Sequence, residues 1–147
     1  MEVSHGGCAS IETDDRCAVL GHSLNRARRG YLRQAEWIVA MDDTGPVGLA
    51  AYQRVDSDVR LVLELLLDRT LSESDTTRVT DLLVSTVEML AYDDGVCCVM
   101  FMLGGEVALR PFERRRYQTV AVDSAGAWVQ TRLDPIGRPR IRPRLIH

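Results

Sequence analysis

The chain has 147 residues, of which 46% are apolar and 27% charged, with a formal net charge of −3. This length and composition suit one compact domain with a single core and argue against disorder throughout. All 18 basic residues are arginine, which excludes a Schiff-base lysine, a phosphate-loop lysine and a Ser–Lys pair.

Apolar patterning and charge limit the kinds of partner that we expect for the chain. The most apolar segment, residues 61–67, contains Glu64 and is far shorter than the ~18 residues that a membrane-spanning helix needs. The first residues have neither the positive charge nor the apolar stretch of a signal peptide, so we expect a cytoplasmic protein without a membrane segment. Residues 138–147 carry four arginines and no acid, whereas the preceding body is acidic, which disfavours nucleic-acid binding.

The N-terminal part predicts a flexible start followed by helix. Residues 1–11 are small and polar, and we expect them to be flexible. From Thr13 onward apolar residues recur every three or four positions, as on a buried helix face. Gly21 and Gly30 favour a break into two helices. The apolar face consists of Cys17, Leu20, Leu24, Ala27, Tyr31 and Ala35.

The next part predicts a β-hairpin and a buried strand. Residues 37–41 and 47–55 have strand patterns, and the Asp-Asp-Thr-Gly-Pro segment 42–46 supplies turn residues between them. Residues 59–67 are apolar on both sides, which suits the centre of a sheet with helices over it.

Residues 72–92 predict the longest helix. Ser72 can accept a hydrogen bond as the N-cap, with Asp75 at the third helical position. Residues 96–103 form another apolar strand, which we expect to run parallel to strand 59–67 in a βαβ unit. The expected buried stripe of the helix consists of Val79, Leu82, Leu83, Val87 and Leu90.

The C-terminal part predicts a short helix over residues 106–116 and strands over 117–122 and 128–133. Prolines in the Arg/Pro-rich tail, residues 135–147, block regular helix and favour an extended, solvated arm. The order of elements predicts an α/β (α+β) domain over residues 12–134. Its central sheet would be mixed, with a β-hairpin, a βαβ unit and helices on both faces.

This order of elements resembles the GNAT superfamily of N-acetyltransferases. Residues 37–55 would match the family's second and third strands, 59–67 the fourth and 96–103 the fifth, with Arg116 and Tyr117 at a later Gly-Phe strand start. Residues 1–10 show no counterpart of the family's first strand. The resemblance implies transfer of an acyl group from acetyl-CoA or another acyl-CoA to a small-molecule or peptide amine, with no metal.

One departure from the family concerns coenzyme A. The family binds the pyrophosphate on a loop of pattern Arg/Gln-x-x-Gly-x-Gly/Ala before the central helix, because glycine lets backbone N–H groups approach phosphate. The matching residues 68–78 contain no glycine, and Glu73 and Asp75 would repel a pyrophosphate. The positions that the resemblance assigns to acyl-CoA binding are Leu65, Leu67, Arg69, Thr76, Thr77 and Arg78.

Two residues are candidates for catalysis. Glu64 lies on the strand from which GNAT enzymes often supply a general base, and its apolar sequence neighbours disfavour an ionised carboxylate, which suits that role. The alternatives are that Glu64 faces a groove or solvent, or pairs with an arginine. The position of the family's proton donor, often a tyrosine, is taken by Phe112, which cannot donate. Tyr117 can donate, and a core aromatic is the alternative for it.

Other reactive side chains have mainly structural interpretations. Cys97 and Cys98 are expected to pack in the core as small apolar residues. Zinc-ligand residue types occur near the N-terminus, but their spacing matches no arrangement that predicts a metal site. These residues are His5, Cys8, Cys17 and His22. Arginines 110 and 114–116 could contact a phosphate or form a solvated helix face.

Two functions therefore remain open at the level of the sequence. One is a divergent GNAT-like acyltransferase that acts on an amine. The other is a non-catalytic GNAT-like domain that binds a protein partner or regulates one, and it is compatible with a homodimer. The missing glycines favour the second function, and the usual activity of the family favours the first.

Overall fold

The structure is a computed structural model that describes residues 2–6, 36–54, 58–104, 109–124, 126–133 and 145–146. Two helices lie in these ranges, α1 (Glu73–Asp93) and α2 (Arg110–Arg114). The strands are β1 (Glu2–Gly6), β2 (Glu36–Asp42), β3 (Gly45–Arg54), β4 (Val59–Leu67), β5 (Cys98–Gly104), β6 (Gln118–Asp123), β7 (Gly126–Arg132) and β8 (Leu145–Ile146).

The eight strands of the described ranges join one mixed sheet in the order β6-β7-β5-β4-β3-β2-β1-β8. β2 and β3 form the predicted antiparallel hairpin. β4 and β5 are parallel and are joined by α1, which is the predicted βαβ unit. The predicted fold class is therefore confirmed.

Two strands at one edge of the sheet correct the sequence predictions. Residues 2–6, expected to be flexible and to lack a first strand, form β1 and pair antiparallel with β2, and Val3 is fully buried. Leu145 and Ile146 form β8 and pair in parallel with β1, so the expected solvated arm ends in the sheet. Both predictions were wrong because these strands depend on pairing with distant parts of the chain. Residues 7–11 and 135–144 lie outside the described residues.

The hairpin turn between β2 and β3 is fixed by one carboxylate. Asp42 Oδ1 accepts hydrogen bonds from the backbone N–H and the hydroxyl of Thr44, at 2.8 and 2.6 Å. These bonds hold the pKa of Asp42 below its ordinary value. Gly45 follows with φ +124°, a conformation open to glycine, so the predicted turn residues explain the reversal.

Helix α1 packs across the middle of the sheet through a broad buried face. Val79, Leu83 and Val87 of the predicted stripe are fully buried. Gly48 on β3 allows the close approach, because a Cβ atom there would lie 2.6 Å from Val79 Cγ1 and 3.0 Å from Leu83 Cδ1. The two other predicted positions are only partly buried: Leu82 and Leu90.

Apolar residues are buried on both faces of the sheet. Helix α2 packs on α1, so the two described helices share one face. A separate apolar cluster lies on the opposite face and is no more than 2% exposed. It consists of Trp37, Val39, Leu49 and Ala51. The helices predicted within residues 13–35 lie outside the described residues.

A buried arginine lies where the C-terminal end of α1 meets the sheet. Arg60 is 2% exposed, and its Nη2 lies 2.6 Å from Asp94 Oδ2. Its guanidinium also stacks over the Tyr52 ring, 5.1 Å from the ring centroid. Burial, with the nearby Glu36 carboxylate, raises the pKa of Tyr52 well above its ordinary value. The arginine thus anchors the helix end to β3 and β4.

Helix α1 ends in a glycine-containing Schellman motif. The Val96 N–H donates to the Ala91 carbonyl at 2.8 Å, and the Gly95 N–H donates to the Tyr92 carbonyl at 3.0 Å. Gly95 has φ +78°, the left-handed conformation that this motif requires. The sequence prediction that Asp-Asp-Gly ends this helix is confirmed.

Helix α2 ends in the same motif but without a glycine. The Tyr117 N–H donates to the Phe112 carbonyl at 3.0 Å, and the Arg116 N–H donates to the Glu113 carbonyl at 3.1 Å. Arg116 has φ +64° and is the only non-glycine residue with positive φ among the described residues. It stands where the family resemblance expects glycine, so an L side chain here carries backbone strain.

The two cysteines at the start of β5 differ from the prediction of core packing. Cys97 is exposed, with its Sγ 3.7 Å from Asp58 Oδ1, and Cys98 is partly buried. The prediction was wrong because the turn after α1 extends further than expected. β5 begins only at Cys98, so Cys97 precedes the covered part of the strand.

The strain at Arg116 predicts that Arg116→Gly stabilises the protein. Removing Cβ from a left-handed residue is worth roughly 1 kcal/mol, and the Arg116 side chain is exposed. Urea unfolding followed by circular dichroism measures the change. The matched control is Gly95→Arg, which places the same side chain in the other Schellman motif and is expected to cost about 1–2 kcal/mol. Lower stability of Arg116→Gly would contradict the assignment of strain.

Candidate functional site

The parallel strands β4 and β5 separate partway along their length. Four register pairs join them, and the last is Val62–Phe101. Beyond this pair β4 continues to Leu67 against β3, and β5 continues to Gly104 against β7, with no further β4–β5 pairing among the described residues. The strands therefore enclose a V-shaped opening at their carboxyl ends, the end at which α1 begins. Ligands of open α/β sheets bind at such positions.

A β-bulge lies in β4 at the point where this strand leaves β5. Against β3, Val62 pairs with Tyr52 and Glu64 pairs with Ala51, so Leu63 is an extra residue without a register partner. Bulges bend a strand, re-aim its groups and occur often next to active sites. The predicted base, Glu64, is therefore the first residue after the bulge, at the start of the opening.

The loop from β4 to α1 satisfies several of its own polar groups. Asp68 Oδ1 accepts hydrogen bonds from the N–H and the hydroxyl of Thr70, at 2.9 and 2.8 Å. Ser72 Oγ accepts from the Asp75 N–H at 3.1 Å, which is the predicted N-cap. The N–H groups of Glu73 and Ser74 take no part in these bonds. The N-cap therefore occupies the Asp75 N–H of the first turn and leaves those of Glu73 and Ser74 outside these bonds.

Negative charge dominates the first turn of α1. Glu73 and Asp75 both lie there. Arg78 Nη1 is 3.7 Å from Asp75 Oδ1, but both side chains are largely exposed, so the pair offsets little of the charge. A pyrophosphate placed as in a glycine loop would face two carboxylates and no glycine. These residues do not fit the glycine-loop mode of coenzyme A binding.

The positions predicted to hold acyl-CoA meet at the junction of β4 and α1. Leu65 is buried and Leu67 is partly buried, both on the strand beyond the bulge, and Arg69 is exposed in the loop. Thr76 and Thr77 lie in the first turns of the helix. Their polar groups are engaged locally: the Thr76 N–H donates to the Ser72 carbonyl at 2.8 Å, and the Thr77 hydroxyl donates to the Glu73 carbonyl at 3.1 Å.

The second predicted catalytic residue, Tyr117, packs against Phe101 of β5 and contacts α1 at Glu88, well along the helix from its start. Its ring packs edge-on against Phe101 and Phe112, with centroid distances of 5.6 and 5.4 Å. Its hydroxyl donates to Glu88 Oε2 on α1 at 3.1 Å. Tyr117 is only 6% exposed, and its hydroxyl proton points at the Glu88 carboxylate within a packed cluster.

A polar cluster that the sequence analysis missed surrounds the same carboxylate. The cluster links α2 to α1 through Arg115, whose Nη2 lies 2.6 Å from Ser85 Oγ and 3.5 Å from Glu88 Oε1. Its Nη1 is 4.0 Å from Asp81 Oδ1. The signal in the sequence was a polar stripe on α1, since positions 81, 85 and 88 share one helix face. Arg115 thus pairs with side chains of α1, which corrects the expectation of a solvated helix face for this residue.

Solved structures of acetyltransferases share this fold. The aminoglycoside 6′-N-acetyltransferase from Enterococcus faecium matches with a TM-score of 0.68 and 13% identity, over 95% of this chain and 99% of that one. The IAA acetyltransferase from Bacillus cereus matches with a TM-score of 0.67 and 11% identity, over 89% and 98%. The N-acetyltransferase PseH from Campylobacter jejuni, solved in complex with acetyl coenzyme A, matches with a TM-score of 0.58 and 8% identity, over 90% and 99%.

The architecture is therefore the GNAT acetyltransferase fold that the element order resembled. No protein-family model and no curated protein sequence matches the chain. Within the described ranges, no helix is long and apolar enough to cross a membrane. The same ranges hold no group of three or more metal-ligating side chains. Of the zinc-ligand residue types near the N-terminus, His5 lies in β1 and the others lie outside the described residues.

The contacts of Arg115 predict that Arg115→Ala destabilises the protein. The substitution removes bonds to three side chains of α1 and leaves the mostly buried Glu88 with less compensation, which costs roughly 1–2 kcal/mol. Arg114→Ala is the matched control, because Arg114 is the exposed preceding residue, and we expect a change within about 0.5 kcal/mol. Equal unfolding free energies for the two variants in urea would contradict the conclusion that Arg115 links α2 to α1.

Proposed function

We propose that this chain is a divergent acyltransferase that moves an acyl group, such as acetyl, from acyl-CoA to a small-molecule or peptide amine. The observation that carries the proposal is the separation of β4 and β5 beyond the pair Val62–Phe101. It supplies an opening at the carboxyl ends of two parallel strands. The structural likeness to an acetyltransferase solved with acetyl coenzyme A supports this choice of donor.

The opening suits a thioester laid along the free side of β4. Backbone groups of β4 after Val62 are not paired with β5, so an N–H there can donate to the thioester carbonyl oxygen as charge develops on it. The amine nitrogen attacks the carbonyl carbon and the C–N bond forms. The C–S bond then breaks, and its electron pair leaves on sulfur as a thiolate. Most of the rate would come from holding the two reactants in this geometry.

Glu64 is the proposed general base. The attacking nitrogen must lose a proton, and a carboxylate beside the reacting carbon can accept it directly or through one water. The backbone position of Glu64, immediately after the bulge and the last β4–β5 pair, supports this role.

Tyr117 is the second candidate catalytic residue, and its role would be to return a proton to the thiolate. Its contacts weigh against that role. Its hydroxyl already donates to Glu88, and its ring fills the cluster with Phe101 and Phe112. Release of the proton to a ligand would require that hydrogen bond to break. A thiolate can leave without being protonated first, because the pKa of a thiol is only about 8.5, and it can then take a proton from water. The reaction therefore does not depend on a protein acid.

The second candidate function is a non-catalytic binding or regulatory module. The specific observation in its favour is the capped, acidic start of α1, where Ser72 occupies one N–H group and two carboxylates face an incoming phosphate. A domain that keeps the fold and does not bind acyl-CoA would have this feature. Binding of the donor therefore separates the two functions.

The proposal predicts that titration calorimetry detects binding of acetyl-CoA and of its non-transferring analogue desulfo-CoA. Because Glu73 and Asp75 repel phosphate, Glu73→Gln/Asp75→Asn is expected to tighten binding roughly three- to tenfold at low salt and less at high salt. The matched control is Asp93→Asn, an exposed acid at the far end of α1, about 30 Å away, where no effect is expected. Absence of binding at millimolar ligand, in both the native chain and the double variant, would favour the non-catalytic module.

The proposed base predicts that Glu64→Gln lowers the acyl-transfer rate about 100-fold and leaves the affinity for desulfo-CoA unchanged. The deficit should shrink as pH rises toward the pKa of the acceptor amine, because the amine then enters without its extra proton and the proton lost after attack can pass to water. Tyr117→Phe is expected to retain the rate and to lose about 1 kcal/mol of unfolding free energy with the Glu88 hydrogen bond. A pH-independent deficit in Glu64→Gln would contradict a base, and a large rate loss in Tyr117→Phe would assign the acid to Tyr117.

A further inference from the structure

The edge strand β6 is exposed along its whole length. All six residues, Gln118–Asp123, are solvent-exposed, and β6 occupies one end of the strand order. Val122 is 74% exposed and Val120 is 48% exposed, the two largest values for large apolar residues in the described part of the chain. The side chains of this strand are therefore open on both faces, and no strand of the described ranges pairs along its outer edge.

The two edges of the sheet differ in how far they are protected from pairing with another strand. At the β1 edge, the C-terminal strand β8 adds a parallel pair and covers part of the backbone. At the β6 edge, the only charged residue is Asp123 at the end of the strand, and no proline or arginine interrupts the segment QTVAVD. Exposed edges normally carry such interruptions, because an unguarded strand pairs with other chains.

A bulge in β6 does not protect this edge. Thr119 pairs with Val129 and Ala121 pairs with Trp128, so Val120 is the extra residue. Bulges can turn an edge away from pairing. Here the bulged residue is itself an exposed valine, so the bulge presents an apolar side chain at the middle of the edge.

We propose that β6 pairs antiparallel with β6 of a second copy of this chain around a two-fold axis, so that the two sheets become one. A second copy fits because the strand is complementary to itself. With the axis between Val120 and Ala121, Asp123 lies opposite Gln118 of the second copy, and the two Asp123 carboxylates are at opposite ends of the interface. Val120 of each copy lies opposite Ala121 beside the axis, and Val122 lies opposite Thr119, which is the arrangement of an isologous dimer. β6 is separated from the β4–β5 opening by β7 and β5, so the pairing is independent of the proposed acyl transfer.

Sedimentation velocity with a charge-swapped pair of variants tests this interface. The native chain should show a dimer that dissociates on dilution, since a six-residue strand pair buries a small surface. Val120→Lys/Val122→Lys and Val120→Glu/Val122→Glu should each be monomeric, because the like charges at position 120 of the two copies then lie side by side at the axis. An equimolar mixture of the two variants should form dimers again, because the neighbouring charges at position 120 are then opposite in sign.

The uncharged variant Val120→Thr/Val122→Thr is the matched control, because threonine keeps the shape and the strand preference of valine. It should retain most of the dimer, and all four proteins should give the same far-ultraviolet circular dichroism. A native chain that stays monomeric up to near-millimolar concentration would overturn the proposal. Dimeric charged variants, or a mixture of the two that remains monomeric while the native chain dimerises, would overturn it equally.

Discussion

The limited pairing between β4 and β5 is the constraint on which the candidate site depends. The two strands share four register pairs, whereas β4 remains paired with β3 through Leu67 and β5 remains paired with β7 through Gly104. Phe112 and Tyr117 pack on Phe101, the last residue of β5 that pairs with β4. Each strand is thus held by its outer neighbour, and the sheet opens between them while both strands keep a ladder on the other side.

The capped start of α1 stabilises the helix by a contact that does not depend on any cofactor. The same N–H groups can bond a side-chain cap or a phosphate, and Ser72 has taken one of them. This contact stabilises the helix whether or not a donor binds. The packing of α1 on the sheet depends on Gly48 and on the buried apolar residues of the helix. It does not require that the loop before α1 binds a cofactor.

Local patterns predicted much of the fold. The hairpin turn at Asp42–Gly45 and the capped helix α1 follow from turn residues, capping residues and apolar spacing. The sequence also predicted the strand that carries Glu64, and Arg116, where the resemblance expects glycine, has the left-handed conformation that glycine favours. Features that rest on contacts between distant segments were missed. The Glu2–Gly6 strand has little apolar alternation of its own, and the contacts of Arg115 need α1 and α2 already docked.

The pairing of β8 with β1 has a consequence for the order of folding. Val3 and Leu145 come from the two ends of the chain, so their contact closes a loop that includes nearly every other element. The entropy cost of such a closure is repaid by only two register pairs. The rest of the sheet is therefore expected to form first. β8 would pair with β1 late in folding and would often separate from it. Amide hydrogens of Leu145 and Ile146 would exchange with solvent long before those of β3, β4 and α1.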